Sequence, residues 1–381
     1  MNQVITQNQE NWTIHIVLTS WCNQGCPGCN QSINDRNSKN HFILNENTRN
    51  DIKNIFNKIP NNDIITVAFF GGEPLTRHQT IMEIIDFLSE ENIIPNYFTI
   101  PTSGGKNQNL ISLVKDINVH IRKYPQFNNT IFKVAQSYDG PNNLYLRNED
   151  PGKIKESIKF VEDIDINLRP SYTSTLIPQI ITEDYFIDSY KDIKEVTNRI
   201  PNYRIPYLLE TNSNLDTIVF SNAITKFLNY LITQSSSNFI LKNSFDYRKK
   251  FLFNKIILQE SFKINPEEFV VPKLFSDVLN LICSNTIKDT HLKSNWCGAG
   301  TTHHAIDKNG IHPNGCEYIN EPANILHNKM LIKCSECEIK DFCNKPCLKN
   351  LEESYIDKFE RQCTVRKILL NQIIKFLKKE N

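Results

Sequence analysis

The chain has 381 residues, enough for two domains or for one large α/β domain with an appendage. Its 43 Lys and Arg balance 42 Asp and Glu, which argues against a nucleic-acid partner or an anionic membrane surface. The polar start "MNQVITQNQENW" is unlike a secretory signal, and no apolar run is long enough to cross a bilayer, so a cytoplasmic location with reduced thiols is expected.

From residue 14 to about 232, strand-like and helix-like stretches alternate. "IHIVLTS" (Ile14–Ser20), "IITVAFF" (Ile64–Phe70), "NYFTIP" (Asn96–Pro101), "IFKVAQS" (Ile131–Ser137), "INLRPSYT" (Ile166–Thr173) and "YRIPYLLE" (Tyr203–Glu210) read as strands, mostly β-branched or aromatic and ending at turn residues. Ile81, Ile84, Ile85 and Leu88 keep the i, i+3, i+4, i+7 spacing of an amphipathic helix, as do Ile224, Phe227, Leu228 and Leu231. This alternation predicts an α/β fold with parallel strands, whose functional loops gather at the strands' C-terminal ends. The polar run "QSSSN" (Gln234–Asn238) is a candidate boundary. Further on, Asn309-Gly310 predicts a hairpin with a type I′ turn, and a final helix is expected around Arg366 to Lys379.

The 11 cysteines are unevenly spread. Cys22, Cys26 and Cys29 stand in "SWCNQGCPGC" directly after the first strand. Cys283, Cys297, Cys316, Cys334, Cys337, Cys343, Cys347 and Cys363 crowd the last hundred residues. In a reducing compartment such groups are better read as metal ligands than as a disulfide framework. A zinc site at the first group needs a fourth ligand, and His41 is not at a usual spacing; a zinc ribbon at the C-terminal end stays open. "GGEP" (Gly71–Pro74) follows the second strand, so it lands on the same rim as the first cysteines.

C-x3-C-x2-C after a first strand resembles the signature of the radical S-adenosylmethionine (radical SAM) enzymes. Three thiolates hold a four-iron cube with one iron left for S-adenosylmethionine, from which a 5′-deoxyadenosyl radical is made. "FFGGEPL" (Phe69–Leu75) resembles the family's second motif, which implies cofactor binding by Gly71, Gly72, Glu73 and Pro74. "PTSGG" (Pro101–Gly105) and "SYDGP" (Ser137–Pro141) resemble its third-strand and ribose motifs, implying Thr102 and Ser137 as further cofactor contacts. Gly28 stands where the family has an aromatic residue packed near the adenine, so that contact must come from elsewhere.

The run Cys334-x2-Cys337-x5-Cys343-x3-Cys347, with Cys297 and Cys316 before it and Cys363 after, is similar to the SPASM extension, which holds two auxiliary iron–sulfur clusters. The resemblance implies one cluster on Cys297, Cys316 and Cys347 and another on Cys334, Cys337, Cys343 and Cys363, three [4Fe-4S] clusters in all. Cys283 is left over, either a fourth ligand or a packed thiol. The implied architecture is a partial (βα)6 parallel barrel over residues 12–233, a connecting segment over 234–290, and a cysteine-rich iron–sulfur domain with a C-terminal helix over 291–381.

Members with this pairing mostly act on peptides or proteins. The resemblance therefore implies a maturase that oxidatively modifies or cross-links a peptide or protein. A formylglycine maturase of the sulfatase type and a small-molecule radical SAM dehydrogenase are the alternatives. Glu317, directly after Cys316, is the candidate general base. Only about a dozen residues precede the first strand, too few for a fused peptide-recognition domain. The peptide or protein substrate is thus expected to be either recognised directly or presented by a separate peptide-recognition protein, with an electron donor such as flavodoxin or ferredoxin as a further partner.

Overall fold

The structure is a computed structural model that describes residues 10–22, 26, 41–103, 108–138, 150–164, 168–173, 175–176, 181–197, 207–208, 216–237, 302–316, 321–337, 351, 359–360, 363–364, 367–368 and 371–372. They belong to two compact units. The first is Met1–Ser137 with Arg147–Ser171 and Cys297–His327; the second is Tyr138–Leu146 with Tyr172–Trp296 and Asn328–Asn381. Both units are discontinuous in sequence.

The main sheet contains β1 (Asn11–Thr19), β2 (Ile64–Gly71), β3 (Tyr97–Thr102), β4 (Ile131–Ser137) and β5 (Leu168–Thr173). Its order is β5-β4-β3-β2-β1-β8-β9, where β8 is His303–Asp307 and β9 is Gly310–Ile311. Neighbours from β1 to β4 pair in parallel, and β8 joins β1 in parallel on its other side. This is an α/β fold on a parallel sheet, as the alternation of elements predicts.

One face of the sheet is apolar and covered. Ile14, Ile16 and Leu18 of β1, Val67 and Phe69 of β2, Phe98 and Ile100 of β3, and Phe132 and Val134 of β4 are buried in one core. The helix α2 (His78–Glu90) brings Ile81, Ile84, Ile85 and Leu88 to that core, and α3 (Gln108–Arg122) brings Ile111, Val114, Ile117 and Ile121. Burying side chains of this size contributes roughly 1.5–3 kcal/mol each, so the helical stripe read from sequence anchors α2. The helix α1 (Glu46–Phe56) starts on a capping box: Thr48 N–H donates to Asn45 Oδ1 at 3.1 Å, and Asn45 N–H donates to Thr48 Oγ1 at 2.9 Å. In α4 (Pro151–Glu162), Asp150 caps the first turn by accepting from Gly152 N–H at 2.8 Å, with proline at the first helical position.

Two expectations change in detail. Of the predicted sixth strand, Tyr207–Leu208 (β7) is described, and it pairs in parallel with Thr175–Leu176 (β6) in a separate two-stranded sheet. On the β1 side of the main sheet stands β8 instead. The hairpin is present, because Asp307 pairs with Gly310, but the turn residues are Lys308 and Asn309. Gly310 has φ +106° while neither turn residue has positive φ, so the turn is not type I′. Glycine supplies the left-handed residue that starts the return strand, and Asp307 Oδ1 accepts from Asn309 N–H at 2.7 Å to close the turn.

The second unit packs α5 (Tyr185–Thr197) against α6 (Thr217–Ser237) through Phe186, Tyr190, Phe220 and Phe227. Asp216 caps α6 by accepting from Ile218 and Val219 N–H at 2.9 and 3.1 Å. Tyr138 donates its hydroxyl to Asp192 of α5. Among the described residues no helix is long and apolar enough to cross a membrane.

Candidate active site

The C-terminal ends of β1 and β2 lie side by side because the strands are parallel, with Thr19 opposite Gly71. Beyond that pair the ladder continues. Gly72 N–H donates to Thr19 O at 2.7 Å, and Glu73 N–H donates to Trp21 O at 3.0 Å. The approach is so close that only glycine fits. A Cβ on Gly71, whose φ is +128°, would lie 2.1 Å from Thr19 O; one on Gly72 would lie 2.1 Å from Trp21 O and 2.8 Å from Ser20 O. The two glycines therefore clasp the backbone that runs directly into Cys22.

Thr19 also closes the neck of the cysteine-bearing segment. Its Oγ1 accepts from Trp21 N–H at 3.0 Å and lies 3.0 Å from His41 Nδ1. Thr19 and His41 form an antiparallel bridge, and Phe42 N–H donates to Leu18 O at 2.9 Å. The chain thus leaves the sheet after Thr19 and rejoins it at His41, carrying Cys22, Cys26 and Cys29 between. Cys22 and Cys26 are half-buried, and Cys29 lies outside the described residues. His41, considered from sequence only as a metal ligand, is the partner of Thr19.

Glu73 is the buried hub, at 1% exposure. Its Oε1 accepts from Thr102 Oγ1–H at 2.9 Å and from Leu75 N–H at 3.3 Å. Its Oε2 accepts from the backbone N–H and the hydroxyl of Ser103, each at 3.0 Å. Burial pushes the carboxyl pKa above its usual value of 4.5, and the hydrogen bonds from Ser103, Thr102 and Leu75 oppose that rise. The side chain ties the loop after β2 to the end of β3, which leaves the Gly71–Glu73 backbone fixed on the rim. Pro74 is buried as it opens a single 3-10 turn, Pro74–Arg77.

Thr102 pairs with Gln136 in the β3–β4 register, so Ser137 follows on the same rim, half-buried. Thr102 and Glu73 are in direct contact, and Cys22, Gly71, Gly72 and Ser137 share their edge of the sheet. Ser103 was missed by sequence reasoning although it stands beside Thr102 in "PTSGG".

Of the C-terminal cysteines, Cys316 follows a tight turn in which Gly315, at φ +72°, donates its N–H to His312 O at 2.9 Å. In the second unit Cys334 ends α7 (Ala323–Cys334), and Cys337 N–H donates to Cys334 O at 3.2 Å, so this C-x2-C pair sits on one turn. Cys363 is half-buried. Cys283, Cys297, Glu317, Cys343 and Cys347 lie outside the described residues.

The site chemistry fits an iron–sulfur cluster with an adjacent nucleoside cofactor: soft thiol donors leave the sheet beside a cradle of two glycines that admits no Cβ. Residues 13–133 match the family described as "4Fe-4S single cluster domain". The radical SAM cyclopropyl synthase TigE of Paramaledivibacter caminithermalis is 27% identical over 237 residues, or 58% of this chain and 47% of TigE. The likeness is to radical SAM enzymes. The chain spans about half the length of the curated relative it matches. Two solved structures of anSMEcpe with bound AdoMet share the fold at 14% identity. A tagged form has TM-score 0.58 and covers 97% of this chain and 96% of its own; the native form has TM-score 0.61 and covers 96% and 99%.

Proposed function

We propose that the chain is a radical SAM maturase that oxidatively modifies or cross-links a peptide or protein. The observation that carries the proposal is the glycine clasp: the two motifs meet as one backbone ladder, Gly72 on Thr19 and Glu73 on Trp21, immediately before Cys22. Cys22, Cys26 and Cys29 would hold a [4Fe-4S] cluster. The Gly71–Pro74 backbone, with Thr102 and Ser137, would hold S-adenosylmethionine. When bound, this pair supplies hydrogen abstraction from unactivated carbon. The protein's own part is to fix the thiols, and Glu73 does so from the buried side of the rim.

In the same reading Cys297, Cys316 and Cys347 hold one auxiliary SPASM cluster and Cys334, Cys337, Cys343 and Cys363 the other, with Cys283 available to the first. Glu317 would take a substrate proton as general base. A cytoplasmic location, an electron donor of the flavodoxin or ferredoxin kind and a separate peptide-recognition protein complete the picture. Because TigE is named a cyclopropyl synthase, carbon–carbon bond formation is the outcome to look for first.

The test is anaerobic reconstitution, reduction and addition of S-adenosylmethionine, reading 5′-deoxyadenosine and iron. Roughly twelve irons are expected if all three clusters are four-iron cubes. Replacing Cys22, Cys26 and Cys29 with alanine should remove about four irons and abolish 5′-deoxyadenosine. Cofactor cleavage by the triple variant would overturn the reading. With a peptide encoded beside the gene, loss of two hydrogens by mass spectrometry would show the oxidation.

A further inference from the structure

The chain that returns from the cysteine segment and the turn that follows the glycine clasp enclose a cavity of about 290 Å³. One wall is Phe42, Ile43 and Leu44; the other is the Thr76–Thr80 stretch together with Glu83. Both walls belong to the first unit. Thr76 is tied to the rim, since its hydroxyl donates to Glu73 O at 2.7 Å. The cavity therefore borders the clasp, yet its residues belong to neither the cysteine motif nor the glycine motif.

The lining has three chemical parts. Arg77 supplies a cation: its Nη2 donates to Thr80 Oγ1 at 3.2 Å, while its Nε is buried and makes no hydrogen bond. Arg77 is also the N-cap residue of α2, which has no side-chain cap, so the positive end of the helix adds to the same side. Glu83 supplies an anion six residues later, about 9 Å along a helix axis. Among the described residues neither Arg77 nor Glu83 makes an ion pair, with the other or with a third group. Ile43 supplies apolar surface. It is 65% exposed, whereas Phe42 is buried and Leu44 packs against the core.

We propose that this cavity binds a small zwitterion, an apolar dipeptide whose carboxylate pairs with Arg77 and whose ammonium pairs with Glu83, with its side chains against Ile43. Charge selects the class. A singly charged ligand would leave one of the two opposite charges unanswered, and a wholly polar one would leave Ile43 uncovered. Volume sets the size: pockets for drug-sized molecules run from about 300 to 1,000 Å³, so this cavity admits an amino acid or a dipeptide and excludes a folded partner. Span chooses between those two. Two extended residues cover about 7 Å, which suits charged groups about 9 Å apart along the helix once a hydrogen bond is made at each end. The site stands apart from the cofactor rim, so the proposal goes beyond the maturase reading and does not depend on it.

The experiment is isothermal titration calorimetry on the reconstituted full-length enzyme, with S-adenosylmethionine in excess to occupy the rim. The probe is L-leucyl-L-leucine. Its N-acetyl form lacks the ammonium, its amide lacks the carboxylate, and L-leucine is the shorter zwitterion. Wild type should bind the dipeptide at one site and each of the other three about tenfold more weakly, as the loss of one charge-assisted pair predicts. Arg77→Met, which keeps an unbranched stem, should lose the preference for acid over amide and keep the preference for free over acetylated amine. Glu83→Gln, at an exposed position, should do the reverse. A misfolded variant cannot produce that crossed pattern. No binding by wild type, equal binding of the blocked forms or of leucine, or either variant keeping both preferences would overturn the proposal.

Discussion

The glycine clasp makes Gly72→Ala the most informative single substitution. The added Cβ would meet Trp21 O at 2.1 Å, Trp21 C at 2.5 Å and Ser20 O at 2.8 Å, all backbone atoms with no rotamer to turn away. Ordinary contact begins near 3.4 Å, so the strand end must move by more than 1 Å. That movement breaks the bonds from Gly72 N–H to Thr19 O and from Glu73 N–H to Trp21 O, about 0.5–1.5 kcal/mol each. Residual overlap strain adds about 1–3 kcal/mol. A total of about 2–6 kcal/mol should lower the melting temperature of the cofactor-free protein by about 4–24 °C, at about 2–4 °C per kcal/mol. Because Trp21 precedes Cys22, reconstituted protein should also retain less iron after desalting. Gly152→Ala is the control, since its Cβ would meet only the Asp150 side chain at 3.2 Å. A Gly72→Ala protein that melts within about 2 °C of wild type and keeps its iron would refute the clasp.

Glu73→Gln sets an amide NH2 against the backbone N–H of either Leu75 or Ser103, leaving a buried donor unpaired at a cost of about 1–3 kcal/mol. The pH dependence has a definite sign. Since burial raises the native pKa of Glu73 above 4.5, wild-type stability falls as pH rises from 4.5 through the native value. The stability gap to Glu73→Gln should therefore be widest at low pH; denaturant titrations showing a gap that widens upward would reverse the argument. Gln136 is fully buried and, among the described residues, neither of its amide atoms is hydrogen-bonded, so Gln136→Leu should raise the melting temperature. Removing that unpaired amide is worth about 1–3 kcal/mol, and a fall would mean that the amide has a partner.

The first four strands were legible because their β-branched and aromatic runs stop at turn residues, and each lies within a few residues of its predicted span. The α2 stripe was legible for the same reason: Ile81, Ile84, Ile85 and Leu88 can share one face only on a helix. Long-range pairing was not. Nothing local in "HHAID" says that it will lie parallel to a strand almost three hundred residues earlier. The Asn309-Gly310 pair announced a hairpin but not its phase, since one positive-φ glycine suits both a type I′ turn and a strand-opening residue. "GGEP" identified the rim, while the role of Glu73 depended on Ser103 thirty residues away. That bond exists only once β2 and β3 are paired.

The sheet separates a rim fixed by backbone contacts from a face set by side chains. On the rim, backbone groups do the holding: carbonyls of Thr19 and Trp21 accept from Gly72 and Glu73, and the Glu73 carboxylate is fixed by Leu75, Thr102 and Ser103. Backbone ladders tolerate little displacement, so the segment that enters Cys22 starts from a fixed point. On the face opposite the helices, side chains standing on fixed strands set the chemistry of the surface, and strand alternation lets them vary while the apolar core stays intact. Lys133 illustrates the separation: its neighbours Phe132 and Val134 point into the core, whereas Lys133 lies over Tyr97. A change at Lys133 therefore alters the face opposite the helices without touching the buried contacts of Glu73. Gly72 has no such freedom, because its limit is another stretch of backbone. Substitutions should accordingly be better tolerated on the strand face opposite the helices than on the rim.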